Sequence, residues 1–334
     1  MHFALDDQIA SQSEAVHNLL ARVQVPTLDR QRPVIFTGIG TSLHACRVAA
    51  HWTTELSRGV LRPAVVSAHE LTFSNLIQTG DQVVVVSHRG NKRFPGEVLT
   101  KAHSAGATTI AISGEETKQI PADVVIRTCP GERSGTHTVS YVTALAALGR
   151  LVARLIGPSG EVLTSALDRV PAAIADTLAL SAPVAQAERL VGREPILVTG
   201  TGLDAVTGQE AALKIKEATY QWAEGMQIEQ ALHGPPAALR AGMGAVTITP
   251  AGDDGERTQT LRTVLKDLQV EALTCGNQNE DLRFAPVHPL VRPLVAIVPL
   301  QRMVAEMARI RGTNPDVIHR DVEPWNTAMG RIAL

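Results

Sequence analysis

The sequence predicts a two-lobed α/β protein in which each lobe is built around its own parallel sheet. Two patterns carry this reading. Short β-branched runs alternate with Ala-rich helical stretches, as βαβ units require. The same order of runs then recurs in the second half, with PILVTGTG at 195–202 matching PVIFTGIG at 33–40. At 334 residues the chain has room for two domains of ordinary size, each with a core.

In order along the chain, strands are expected at PVIFTG (33–38), AVVSA (64–68), QVVVVS (82–87), TTIAIS (108–113) and DVVIRT (123–128). Their near-continuous apolar character suits a parallel sheet covered on both faces. Helices fill the gaps, notably SLHACRVAAHWTTEL after the first strand and PGEVLTKAHSAG after the third. Ala/Leu-rich helices from about 138 to 191, broken at Gly157-Pro158-Ser159-Gly160, join the lobes as scaffold. In the second half GAVTITPAGDDGER (244–257) parallels the strand and loop at 83–93, and VEALTCG (270–276) parallels TTIAIS. PLVAIVPLQRM (293–303) supplies the last strand and helix. The expected division is a helical segment at 1–30, a first lobe at 31–155, a helical linker at 156–192, and a second lobe with C-terminal tail at 193–334.

The chain is 44% hydrophobic and 19% charged, which excludes a disordered or fibrous class. Its 31 basic and 33 acidic residues leave a net charge of −2, so no global attraction to nucleic acid arises and any anion site must be local. Cys46, Cys129 and Cys275 are far apart and lack CxxC spacing, so neither a disulfide framework nor a metal cluster is expected. The N-terminus has no basic segment followed by an apolar one. No apolar run reads as reaching the roughly 20 residues that span a bilayer. A cytoplasmic protein without membrane or nucleic-acid partner, cofactor or metal is expected.

Two loops are candidates for holding an anion. Gly40, Thr41 and Ser42 follow a strand and open a helix, where backbone N–H groups and the helix dipole favour negative charge. The continuation Leu43-His44 breaks the GxGxxG spacing that a dinucleotide site needs. The second loop, Ser87, His88, Arg89, Gly90, Asn91 and Lys92, follows the strongest strand and gathers a hydroxyl and cations around a flexible glycine. Arg grips phosphate with a rigid fork and Lys acts as a point charge. A solvated basic loop is the plainer reading of the same residues, since Arg93 continues the run.

Proton chemistry is suggested in the second half. Glu210, Lys214 and Glu217 are spaced i, i+4, i+7 and form one helical stripe, which Glu224 would extend. An ion-paired solvent face has the same spacing. His233 lies before a Gly-Pro-Pro stop, where a side chain can be held rigidly. With Glu217 it gives a carboxylate and an imidazole, the usual pair for moving protons near neutral pH.

Taken together, these stretches resemble the sugar isomerase (SIS) domain family, and its tandem form in particular. The resemblance runs through DQIASQSEAV, the GTS at 40–42, the serine loop at 87–92 and SGTHTVSYVTALAAL at 134–148. It continues through EAALKIKEATYQWAEGMQIEQALHGP at 210–235 and NPDVIHRDVEPWN at 314–326. It implies two flavodoxin-like parallel sheets flanked by helices. It also implies a phosphorylated sugar or amino sugar held by Ser42, Ser87 and their loop neighbours. Glu217 would then shuttle a proton between C1 and C2 with Lys214 beside it, His233 would assist ring opening, and a homodimer would share its active sites.

The sequence departs from the family pattern at three points. Arg89 and Lys92 stand where the family's SxSGxT loop has its second Ser and its Thr. The tail NTAMGRIAL has no counterpart of the family's C-terminal lysine, with Arg331 nearest. Tandem members of the family that carry a glutaminase segment catalyse an amino-sugar-phosphate synthase reaction; no such segment stands in this sequence, so that reaction is not expected. The expected activity is a metal-free phosphosugar isomerase, or an amino-sugar-phosphate isomerase/deaminase. Alternatives are a fructosamine-phosphate deglycase and a non-catalytic sugar-phosphate-binding module.

Overall fold

A computed structural model describes every residue except Lys118, Ala333 and Leu334. The chain divides into two units: Gln12–Glu132 with Val139–Pro171 and the described residues from Gly330 onward, and Met1–Ser11 with Arg133–Thr138 and Ala172–Met329.

After helix α1 (Ala4–Arg22) the first of these units runs β1 (Val34–Gly38), α2 (Thr41–Leu56), β2 (Ala64–Ser67), α3 (Ala68–Phe73) and β3 (Gln82–Val86). It continues with α4 (Arg93–Ser104), β4 (Thr108–Ser113), β5 (Val124–Arg127), α5 (Val139–Ile156) and α6 (Glu161–Leu167). The five strands are parallel in the order β2-β1-β3-β4-β5. Every position of β1 and β3 is buried, and their runs Val34–Phe36 and Val83–Val86 are accordingly apolar without alternation. Ile35, Leu71, Val83, Val85, Val98 and Leu99 form a core between the sheet and α3–α4. Full burial of such side chains contributes about 1.5–3 kcal/mol each.

α7 (Val170–Leu178) and α8 (Val184–Leu190) lead to the second sheet. There β6 (Ile196–Gly200), α9 (Leu203–Thr219), β7 (Ala223–Gln227), α10 (Ile228–Leu232), β8 (Gly244–Ile248) and α11 (Arg257–Asp267) precede β9 (Glu271–Gly276) and β10 (Leu282–Arg283). α12 (Arg292–Arg311) and α13 (Trp325–Gly330) complete the chain's helices. The order β7-β6-β8-β9-β10, again parallel, is the first sheet's order repeated. Thus both sheets reverse direction of growth at one point, between β1 and β3 and between β6 and β8.

A side-chain device is repeated as well. Thr109 donates N–H and hydroxyl to Asp123 Oδ2 (2.7 and 2.8 Å), and Asp123 N–H donates back to Thr109 Oγ1 (2.9 Å). Thr274 and Asp281 make the same three bonds at 2.8, 2.9 and 3.0 Å. Each pair ties the last strand of its sheet to the strand before it.

The structure corrects four expectations. The run 293–303 is wholly helix α12, buried nearly all round, and the last strand is β10 instead. A buried apolar run carries no period that tells helix from strand. A strand at 223–227 was not expected; Gly225 permits it, because a Cβ there would lie 2.3 Å from Gln209 Cα on α9. α9 ends at Thr219 with Tyr220 in the left-handed region (φ 58°), so Glu224 lies exposed on β7 and does not extend the helical stripe. Finally, the stretch from Val139 is apolar enough by length and composition to match a membrane span, but 89% of that window is buried inside the protein.

Candidate functional site

In a doubly wound sheet, ligands bind at the carboxyl ends of the strands beside the reversal of strand order. The loops after β1 and β3 leave from adjacent strands at that point, with Thr37 in register with Val85. Gly40 caps α2 with φ 55°, ψ −126°, a conformation that glycine adopts without strain. Gly38 lets the helix start close to the strand, since a Cβ there would lie 2.8 Å from Ser42 Cβ. Thr41 and Ser42 are half-buried in the first turn of α2. Ser87 is 9% exposed; its N–H donates to Ile112 O (3.0 Å), and its carbonyl accepts from Gly90 N (3.0 Å), closing a turn with Gly90 at φ 61°. Lys92 is the N-cap of α4, while Arg93 points away to Glu97 (2.8 Å).

A cavity of about 410 Å³ opens beside this loop, lined by His88, Arg89, Asn91, Glu116, Thr117 and Glu132. It brings together two of the expected residues, His88 and Arg89; Gly40, Thr41, Ser42, Ser87 and Lys92 are not in its lining. Thr117 hydroxyl donates to Arg89 O, joining the two sides of the cavity. Glu132 accepts from Val139 N (3.1 Å) and Ser140 N (2.8 Å) and so caps the start of α5. Glu116 and Glu132 were not anticipated. They lie on loops without motif, and only the fold carries them to the end of β3.

The second unit repeats the turn and fills it. Gly202 caps α9 with φ 56°, ψ −121°, matching Gly40. Where Ser42 stands in the first unit, Asp204 stands in the second, and its carboxylate is held by Arg292 at 2.9–3.1 Å. Arg292 also donates to Thr249 O (2.6 Å) just beyond β8, so the pair closes the gap between β6 and β8. Both side chains are 5% exposed. Burial pushes the Asp204 carboxyl above its ordinary range, against the pull of Arg292.

On α9, Glu210, Lys214 and Glu217 do share one stripe, but it is not a solvent face. Lys214 Nζ lies 2.6 Å from Glu217 Oε2 and 3.4 Å from Glu210 Oε1. The side chains of Glu210 and Lys214 are 0% and 2% exposed, whereas that of Glu217 is 26% exposed. Three residues on, Tyr220 ends the helix with its hydroxyl donating to Asn314 O (2.9 Å) and accepting from His319 N (2.8 Å). The His319 ring stacks between those of Tyr220 (3.9 Å) and Trp325 (4.0 Å). His233 is exposed at the end of α10, followed by Gly234 at φ 103° and the Pro235–Ala238 turn. Of the tail NTAMGRIAL, Ala333 and Leu334 lie outside the described residues.

Residues 27–154 match the SIS domain family model. The chain is 27% identical over 334 residues to the glutamine–fructose-6-phosphate aminotransferase (isomerizing) of Thermococcus kodakarensis, covering 94% of this chain and 54% of that protein. It therefore spans about half the length of the curated relatives it matches. Among solved structures, the C-terminal domain of glucosamine-fructose-6-phosphate aminotransferase from Francisella tularensis superposes with a TM-score of 0.84 at 21% identity, covering 95% of this chain and 98% of that one. Glucosamine-6-phosphate deaminase from Thermotoga maritima superposes with a TM-score of 0.78 at 19% identity, covering 95% and 97%.

Proposed function

We propose that the chain is a phosphosugar isomerase, or isomerase/deaminase, acting on a hexose or amino-hexose 6-phosphate; the match of residues 27–154 to the SIS domain model and the likeness to the C-terminal domain of glucosamine-fructose-6-phosphate aminotransferase support this reading. The observation that carries the reading is Glu217. It is a carboxylate tied to a buried lysine, yet the one member of its ion cluster with a quarter of its side chain open. Such a group is held in one orientation and still accessible, as a proton-transfer base must be.

In this reading the loops at 40–42 and 87–92 fix the phosphate and thereby orient the reacting carbons. His233 assists ring opening by moving the proton between O1 and the ring oxygen. Glu217 takes the C2 proton, leaving a cis-enediol or enolamine, and returns it at C1. A homodimer with shared active sites follows from the same resemblance.

Solvent exchange tests it. Fructose 6-phosphate and glucosamine 6-phosphate incubated with the protein in D₂O should acquire deuterium at C1 or C2. Glu217→Gln should slow exchange by about 10²–10⁴-fold while phosphosugar binding persists. Undiminished exchange in that variant would remove Glu217 from the mechanism.

A further inference from the structure

The cavity beside the 87–92 loop has an unusual charge balance for a phosphate seat. Among the described residues that line it, Arg89 is the one permanent cation, and Glu116 and Glu132 are both acidic. Glu132 spends its charge on the first amides of α5, whereas Glu116 is an exposed residue whose carboxylate packs on Gly131, where a Cβ would approach its Oε2 to 2.2 Å. A phosphate dianion held on this side of the 87–92 loop meets a wall with no positive surplus, since Lys92 of the same loop lies outside its lining. One lining side chain, His88, can change that by taking up a proton near neutral pH.

The structure holds His88 as a fixed part of this wall. Its carbonyl accepts from Gly114 N (2.8 Å) and Ser113 Oγ (3.1 Å), so its backbone is pinned to the end of β4. Its ring packs on Gly114, where any Cβ would lie 2.8 Å from Cε1. Burial depresses the imidazole's pKa, with Glu132 pulling it up, Arg89 pushing it down and Glu116 pulling it up. Burial thus favours the neutral form of the ring.

Resting on the phosphosugar reading above, we propose that His88 is the proton-carrying member of the phosphate seat: binding of the phosphate dianion draws one proton from solvent onto the His88 imidazole, and the imidazolium together with Arg89 holds the anion against Glu116 and Glu132. The proton comes from buffer and returns to it on release, so no other reactant is needed. The sign follows from linkage. Binding raises the imidazole's pKa, so affinity gained through His88 is present at pH below the bound value and is lost as pH rises through it. On the acid side the phosphate's own second ionisation, near pH 6, limits the dianion.

Calorimetry of the full-length protein at pH 7.5 in Hepes and in Tris reads the proton directly, with inorganic phosphate, fructose 6-phosphate and glucosamine 6-phosphate as probes. The apparent enthalpy should vary with buffer ionisation enthalpy with a slope of about one proton taken up per phosphosugar bound. His88→Gln should bind more weakly with a slope near zero, and Glu116→Gln should keep the uptake. Equal slopes in wild type and H88Q, or binding of wild type without uptake, would overturn the role of His88 and leave the phosphosugar reading standing. No binding of any probe would overturn that reading and this one with it. Should H88Q fail to fold, the assigned His88 Hε1 resonance of the wild-type protein serves instead: its titration must move to higher pH on adding phosphosugar, and a titration that stays in place overturns the proposal.

Discussion

Lys214 donates to Glu217 across one turn of α9, and of the two it is the lysine that is buried. The cation is therefore set within the protein and the carboxylate at its edge. The helix that ends three residues later is anchored by the Tyr220 hydroxyl and by Thr313 Oγ1 donating to Ala218 O (2.7 Å).

Removing that cation should be costly. Lys214→Met leaves the buried Glu210 without its lysine, and breaking a buried pair from one side destabilises by about 3–5 kcal/mol. Urea unfolding monitored by far-UV circular dichroism measures it. A loss under about 1 kcal/mol would show that the cluster tolerates an uncompensated carboxylate.

Arg89 should discriminate phosphorylated from free sugars. Losing a charge-assisted hydrogen bond costs about 1.5–3 kcal/mol, so Arg89→Ala should weaken phosphosugar binding by about ten- to a hundred-fold. Binding of the unphosphorylated sugar should change little. Equal effects on both, measured by calorimetry, would move the phosphate seat away from this loop.

The Asp204–Arg292 pair gives a stability test separate from activity. Asp204→Ala strands a guanidinium that is 5% exposed and should destabilise the protein by about 3–5 kcal/mol. The double change Asp204→Leu/Arg292→Met removes both charges and should recover much of that loss. A double variant as unstable as the single one would show that the pair acts through shape rather than charge.

Acid should attack the repeated Thr–Asp devices. Hydrogen bonds from the Thr109 backbone and hydroxyl hold the Asp123 carboxyl below 3.8, its ordinary value. At Asp281 burial pushes upward, and the Thr274 bonds and Arg189 more than offset it. A carboxyl whose folded pKa is depressed contributes stability above its unfolded pKa and loses it as pH falls through the folded one. Asp123→Asn should therefore be less stable than wild type at neutral pH, with the gap closing as pH drops below 3.8. A gap independent of pH across that window would sink the argument.

Much of the first sheet was legible because its strands are short runs of mostly β-branched, apolar residues: QVVVVS became β3 and TTIAIS became β4 with ends within a residue. The glycine turns were legible for a similar reason, since backbone conformation demands glycine at 40 and 202. β7 escaped because AEGMQ has no β-branched residue and is a strand only through its place beside β6. The α12 run misled because burial on all sides erases the helical period. At the site, Ser42, His88 and Arg89 could be nominated from local pattern. Glu116, Glu132 and Asp204 could not, because each matters through a neighbour distant in sequence.

Asp204 also changes how the internal duplication is to be understood. A carboxylate built into the second turn, already clasped by its own arginine, is a tenant that never leaves. The backbone repeats; the side chain that occupies the turn does not. A chain with two matching strand–turn–helix cradles should thus saturate with phosphate as though it had one.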